Sequence, residues 1–164
     1  MPCLTLPTAS VRASYLLGER EVAIEEGLPT SWIEDAAADF AGFVDRRRRV
    51  RELWAVPVTE LWFVEGSDYL GTVIIRHRLT PALTREGGHL GYHVVPRQRR
   101  RGHATRMLAQ AKPICQGLGL GEVLITCDQD NLGSRRVIEA NGGVLERVAG
   151  GQARYWVSTG PQST

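Results

Sequence analysis

Four arginines, Arg97, Arg99, Arg100 and Arg101, crowd together just before Gly102 and a stretch with the apolar spacing of a helix. A helix N-terminus presents unpaired N–H groups and the positive end of its dipole, and so receives phosphate or pyrophosphate readily. Gly102 lets the backbone approach such a ligand, Ala104 keeps the first turn narrow, and arginines nearby add charge-assisted bonds to phosphate oxygens. The pattern fits a phosphate better than a nucleic-acid duplex. Three histidines supply proton chemistry near neutral pH: His89 in "GGHLGY", His93 four residues on along the same strand face, and His77 in "IIRHR". Each reads equally as a hydrogen-bonded core residue. Cys127 ends an apolar run and reads as a nucleophile or as a buried small residue. Asp128 and Asp130 read as ligands for a cationic acceptor or as turn residues leading into a helix.

The elements that must position these groups follow from pattern. Leu4–Leu6 reads as a short strand ended by Pro7, and Ser10 as the N-cap of a helix to about Glu26, broken by Gly27 and Pro29. Ser31-Trp32-Ile33-Glu34 has the form of a capping box for a second helix, through Phe40, Phe43 and Val44, to roughly Arg51. The arginines that close it, Arg46 to Arg49 and Arg51, read as a solvated last turn or as a patch for an anionic partner. Beyond Pro57 the period becomes two: Leu61–Val64, a Gly66-Ser67-Asp68 turn and Tyr69–Ile75 make a hairpin, and a loop leads to a strand over His89–Val95. A helix from Gly102 to about Gln116 should be kinked or shortened by Pro113. Then come a buried strand at Glu122–Cys127, a helix at Asn131–Asn141, a strand from Gly142, a Gly150-Gly151 turn and a last strand, Arg154–Val157. This order predicts one α+β (mixed α/β) domain over residues 1–164.

Composition narrows the function classes. Hydrophobic content of 43% and charged content of 23% belong to an ordinary globular chain, so no disulfide or metal staple is required for a core. The three cysteines, Cys3, Cys115 and Cys127, have no CxxC spacing, and neither a disulfide framework nor a metal site is expected. No apolar run reaches membrane-span length and Met1–Ser10 lacks a secretory pattern, so the expectation is a cytoplasmic protein without a membrane partner. A net charge of +2 argues against a nucleic-acid partner.

Two stretches carry a family resemblance. Arg99-x-x-Gly102-x-Ala104, after Val94-Val95-Pro96, resembles the Gln/Arg-x-x-Gly-x-Gly/Ala motif of the GNAT superfamily of N-acetyltransferases, and Asn131-x-x-Ser134 in "DQDNLGSRRVIEANGGVLE" resembles its next motif. The resemblance is specific over Leu61–Val157 and loose before it. It is similar in "IIRHRL", "GGHLGY" and "LITCDQDN" to a bacterial subgroup of acetyltransferases. What it implies is a V-shaped central mixed sheet with flanking helices, splayed between the strands of Val94 and Ile125, with acetyl-CoA as co-substrate in the gap. The pantetheine would pair with the backbone near Val94 and Val95. The pyrophosphate would sit on the N–H groups of Arg100, Arg101, Gly102, His103, Ala104 and Thr105. Asn131 would cap its helix or bond the pantetheine, with Ser134 one turn on.

The reaction so implied is direct attack by an amine, of a small molecule or a peptide, in a ternary complex. A lysine-like amine has a solution pKa of about 10.4, so a base must take its proton. His89 holds the place of a glutamate that serves as base in many members of the family, and the N–H of Val95 is the expected oxyanion donor. Many members also carry a tyrosine in the helix after Asn131 to reprotonate the thiolate, where this chain has Val137-Ile138. Tyr92, Tyr155 or water must then act. The missing tyrosine and glutamate also suit an acyl-CoA-binding module without catalysis. Such domains often dimerise, and the hairpin near Gly150 is the expected homodimer contact.

Overall fold

A computed structural model describes residues 1–161. Strand β1 (Cys3–Thr5) ends before Pro7 as expected. The first helix, α1 (Arg12–Glu26), begins later than Ser10 because a single 3-10 turn precedes it, capped by Thr8. Gly27, at φ +67°, stops α1 in the left-handed region that a side chain resists. The expected single helix to Arg51 is two: α2 (Ser31–Ala38) and α3 (Phe40–Arg47). Asp39 divides them, leaving helical geometry at φ −145° and accepting from Gly42 N–H at 3.1 Å as the new cap. The Ser31/Glu34 capping box is not formed, since Thr30 takes the N-cap position and no side chain bonds there.

Strand β2 (Arg51–Leu53) and hairpin β3 (Val56–Glu65)–β4 (Asp68–Arg76) follow, then a short α4 (Pro81–Arg85) where a loop was expected, with Thr80 as its cap. The second half runs β5 (Leu90–Val94), α5 (His103–Gly117), β6 (Glu122–Asp128), α6 (Leu132–Ala140), β7 (Val144–Ala149) and β8 (Gln152–Ser158). Pro113 neither ends nor shortens α5. It and Ala109, whose carbonyl loses its partner, both lie on the exposed side of the helix, where water can take over.

The strands form two antiparallel sheets, β1-β3-β4-β5 with β2 also on β3, and β6-β8-β7. They meet at one point: His89 N–H donates to Leu124 O at 2.8 Å. The approach is so close that a Cβ on Gly88 (φ +61°) would stand 2.3 Å from that oxygen. From there β5 and β6 run on to Val94 and Asp128 with no further backbone bond between them among the described residues. This is the expected α+β architecture with a splayed sheet.

One core lies under α5 and α6 and holds Leu90, Val94, Met107, Leu108, Ile125, Ile138 and Tyr155. A second lies between α1–α3 and the β3–β4 face, around Trp62 stacked on Tyr15 at 4.1 Å. Glu60 is buried beside it and accepts from Arg47 (3.0 Å), Arg51 (3.3 Å) and Trp62 Nε1 (3.0 Å). Arg48 donates to Pro7 O at 2.8 Å. Three of these five arginines, Arg47, Arg48 and Arg51, therefore turn to partners within the fold, as neither the solvated reading nor the anion-patch reading foresaw.

Candidate functional site

The splay opens a cleft of about 580 Å³ between β5, the loop after it, the start of α5 and one face of α6. Of the residues expected there, Val94, Arg100, Gly102, His103, Ala104, Thr105, Asn131 and Ser134 line it, while Val95, Arg101 and His89 do not. His93, named from sequence as a rival to His89, lines it too, and Arg136 lines it unforeseen. Arg136 lies one turn into α6, a position that only the contact between α5 and α6 brings opposite the arginine loop.

The arginine knot divides by partner. Arg97 pairs with Glu21 on α1, and Arg99 donates to both oxygens of Glu25 (2.7 and 2.9 Å) while its Nε holds Val94 O at 3.1 Å. These two brace the loop against α1. Arg100, Arg101 and Arg136 make no ion pair among the described residues. Arg100 (φ +62°) and Gly102 (φ +77°) both take left-handed geometry, which turns the chain sharply into α5. No side chain caps that helix; its first backbone bond is Arg106 N–H to Gly102 O (3.2 Å), so the N–H groups of His103, Ala104 and Thr105 remain to be satisfied. An anion fits there, with Arg100 and Arg136 on the cleft wall.

Strand register decides which backbone groups enter the cleft. Val95 N–H donates to Leu70 O at 2.9 Å, so Val95 and every second residue before it pair with β4. The N–H of Val95 is therefore spent, and the alternation turns the N–H and C=O of Val94 and Tyr92 away from β4. The N–H expected as oxyanion donor, that of Val95, is thus occupied, and the N–H turned away from β4 is that of Val94.

The histidines separate as sharply. His89 is buried at the closed end of the V, its Nδ1 accepting from Leu124 N–H at 2.9 Å. Burial, then the charge of Arg76, holds its pKa below the ordinary value, as an acceptor nitrogen requires. His77 bonds Thr59 Oγ1 (2.7 Å) on the hairpin. His93 is 35% exposed along its side chain, and its Nε2–H donates to buried Glu19 Oε1 at 2.7 Å. Glu19 also accepts from Tyr69 OH, which bonds Thr72. Burial pulls the His93 pKa down, but the hydrogen bond and charge of Glu19 outweigh it and the result is a raised pKa. Its Nδ1 has no partner among the described residues.

Tyr92 lies on the opposite face and shares a 2.7 Å hydrogen bond with Ser134 Oγ, whose N–H is capped by Asn131 Oδ1 at 3.1 Å. Burial pushes the Tyr92 phenol up to about 12, so it stays a donor. Tyr155 is fully buried, bonded to Glu139 (2.6 Å) and Arg135 (2.9 Å), and away from the cleft. Val137 lines the wall at the place of the missing tyrosine.

A second pocket, of about 290 Å³, shares Tyr92, Asn131 and Ser134 with the first and continues toward Arg76, Cys127 and Asp128. Burial raises the Cys127 thiol and keeps it protonated, which weighs against a thiolate nucleophile. Among the described residues no group of three or more His, Cys, Asp or Glu could hold a metal, and no helix is long and apolar enough to cross a membrane.

The acetyltransferase (GNAT) domain family matches the chain over residues 10–144. Compared by sequence with curated proteins, the chain finds no match. Several solved structures share its fold. RimJ of Mycobacterium smegmatis, in complex with CoA-disulfide, superposes at a TM-score of 0.65 with 16% identity over 96% of this chain and 81% of that one. The PaiA N-acetyltransferase of Thermoplasma acidophilum, in complex with coenzyme A, gives 0.60 and 11% over 96% and 99%. The microcin C7 self-immunity acetyltransferase MccE, in complex with acetyl-CoA and AMP, gives 0.59 and 14% over 96% and 92%.

Proposed function

The chain belongs to the acetyltransferase (GNAT) family, and from that premise we propose that it is an N-acetyltransferase that takes the acetyl group from acetyl-CoA and passes it to an amine by direct attack in a ternary complex. The observation that carries this reading is the outer edge of β5: the N–H of Val94 and its C=O, the latter already accepting from Arg99 Nε, turn away from β4 along a cleft that ends on uncapped amides of α5. An extended pantetheine arm can pair with that edge as a further strand would. Its pyrophosphate then reaches the N–H groups of His103 to Thr105, with Arg100 and Arg136 beside it. The three complexes among the structural neighbours, with acetyl-CoA, coenzyme A or CoA-disulfide, support the identity of the donor.

Direct transfer asks for a base, an oxyanion donor and an acid. With His89 committed to Leu124, we assign the base to His93, held by Glu19 with its Nδ1 lone pair free. As the amine attacks the thioester carbon, Nδ1 takes an amine proton and the carbonyl oxygen gains charge against Val94 N–H. The carbon–sulfur bond then breaks, and Tyr92 OH, reprotonated through Ser134 or water, protonates the departing thiolate. The test is calorimetric titration with acetyl-CoA followed by a transfer assay over a broad amine panel, on wild type and on His93→Gln. Binding with transfer that His93→Gln abolishes supports the reading. Binding without transfer to any amine would leave an acyl-CoA-binding module instead.

A further inference from the structure

Arg76 lines the second pocket with much of its guanidinium edge unused. Its Nη1 is anchored, donating to Gly87 O at 2.9 Å and Gly88 O at 3.2 Å. One ring face, that of Trp54, covers it at 4.5 Å. Its Nε is buried without a hydrogen-bond partner, and its Nη2 bonds nothing among the described residues. The inward-turned Arg47 and Arg51 find a carboxylate in Glu60, and Arg154 finds one in Glu146. Arg76 has none, and burial lowers its pKa with nothing to offset it. A half-buried charge without a counter-ion is costly, and proteins pair such groups.

The surroundings indicate where the counter-ion belongs. Nη2 lies over Gly91, where a Cβ would stand 3.5 Å away, so a missing side chain opens the floor in front of it. Gly91 and His93 point to the same face of β5, two residues or about 7 Å apart along a strand. Glu86 and Asp128 line the same pocket, which therefore offers both signs of charge.

Resting on the transferase reading, we infer that this pocket is the carboxylate end of the acceptor site and that it selects a zwitterionic acceptor, a small amino acid whose carboxylate is held by Arg76 while its amine reaches into the adjoining cleft, which His93 lines. The carboxylate bonds Nη2 in the space above Gly91. Glu86 and Asp128 attract the ammonium form before His93 receives its proton. An acceptor with only a few bonds between amine and carboxylate spans the interval with a hydrogen bond at each end.

The experiment pairs amino acids with their carboxamides: glycine with glycinamide, alanine with alaninamide, β-alanine with its amide. Each is assayed with acetyl-CoA on wild type, Arg76→Gln and Gly91→Ala. Gly91→Ala keeps the anchoring of Arg76 on the Gly87-Gly88 loop and only fills the space in front of Nη2, so it answers even if Arg76→Gln fails to fold. Wild type should prefer the acids by about tenfold or more in kcat/KM, the worth of one charge-assisted bond. Gly91→Ala should remove most of that preference through KM, with acetyl-CoA affinity unchanged. Equal use of acids and amides by wild type, or a preference that Gly91→Ala leaves intact, would overturn the inference. If acetyl-CoA binds and neither kind of amine is acetylated, the transferase reading fails; the site is then judged by calorimetry with the free amino acids. Binding that Gly91→Ala weakens would retain the carboxylate seat, and absence of binding would reject it.

Discussion

Tyr92 and His93 are consecutive on β5 and reach in opposite directions: the Tyr92 hydroxyl meets Ser134 Oγ at 2.7 Å on α6, and His93 Nε2 meets Glu19 Oε1 at 2.7 Å on α1. Adjacent residues of a strand always face opposite sides of a sheet. Here that elementary alternation puts a donor with a high pKa on one side of the splayed strand and an imidazole acceptor, its pKa raised by Glu19, on the other. An amine and a thiolate, entering and leaving a thioester from opposite sides, need that division.

The first prediction concerns His93. His93→Gln should lower kcat by about a hundredfold or more, the usual contribution of a positioned base, with acetyl-CoA affinity nearly unchanged. The kcat/KM profile should rise with pH through a pKa above the ordinary 6.5, because the raised pKa keeps His93 protonated, and unable to accept, below it. Glu19→Gln removes the charge that raises it, while leaving an oxygen able to accept from Nε2–H, and should move this limb to lower pH while reducing kcat. An unchanged limb in Glu19→Gln would dissociate the pair from catalysis.

Tyr92→Phe should lower kcat by about tenfold to a hundredfold without changing acetyl-CoA affinity, since only the proton donor is lost. Because the phenol lies at about 12, no alkaline loss of activity from its ionisation should appear below about pH 11. Ser134→Ala should cost less, as water can replace one hydroxyl. A Tyr92→Phe enzyme with normal kcat across the pH range would return the acid role to solvent.

The sequence carried the hairpin, the strand–loop–helix unit at Gly102 and the cap at Asn131, because each is dictated by local residues: alternation, a glycine, an amide side chain. Three things were not local. The choice between His89 and His93 depends on Leu124, which lies on another sheet and cancels the availability of His89. The shift of the free amide from Val95 to Val94 depends on the register with Leu70. Glu19 sits in a helix with only a weak amphipathic pattern, distant from the motifs, and nothing in its neighbours marks it as the partner of His93. The arginine knot was legible as a cluster but not as a division of labour, since Glu21 and Glu25 on α1 decide which arginines stay free.

That division predicts a graded series at the anion seat. Arg100→Ala and Arg136→Ala should each weaken acetyl-CoA binding by about tenfold or more, the worth of a lost charge-assisted bond, and lessen its salt sensitivity. Gly102→Asp should do more, because it strains a left-handed position and sets a carboxylate among the amides. Arg97→Ala, whose partner is Glu21, should change affinity little. Equal losses across all four, read by calorimetry, would contradict the assignment.

The last prediction separates His89 from the chemistry by its thermodynamics. His89 accepts the buried Leu124 N–H where the two sheets join, so His89→Ala should lower unfolding free energy by about 1–3 kcal/mol, the cost of leaving such a donor unsatisfied. His89→Asn offers an oxygen near the position of Nδ1 and should restore much of it. The pH dependence follows from the lowered pKa: the contribution of His89 is present above its unfolded value near 6.5 and is lost as pH falls through its folded value. His93 behaves oppositely, for its raised pKa makes its contribution complete below the unfolded value and lost as pH rises through the folded one. Urea unfolding from pH 5 to 8 should therefore flatten on the acid side in His89→Asn and on the alkaline side in His93→Gln. Per folded molecule, His89→Asn should keep its transfer rate. A His89→Asn protein that is stable but inactive would return the base to His89 and reverse the roles assigned to the two histidines.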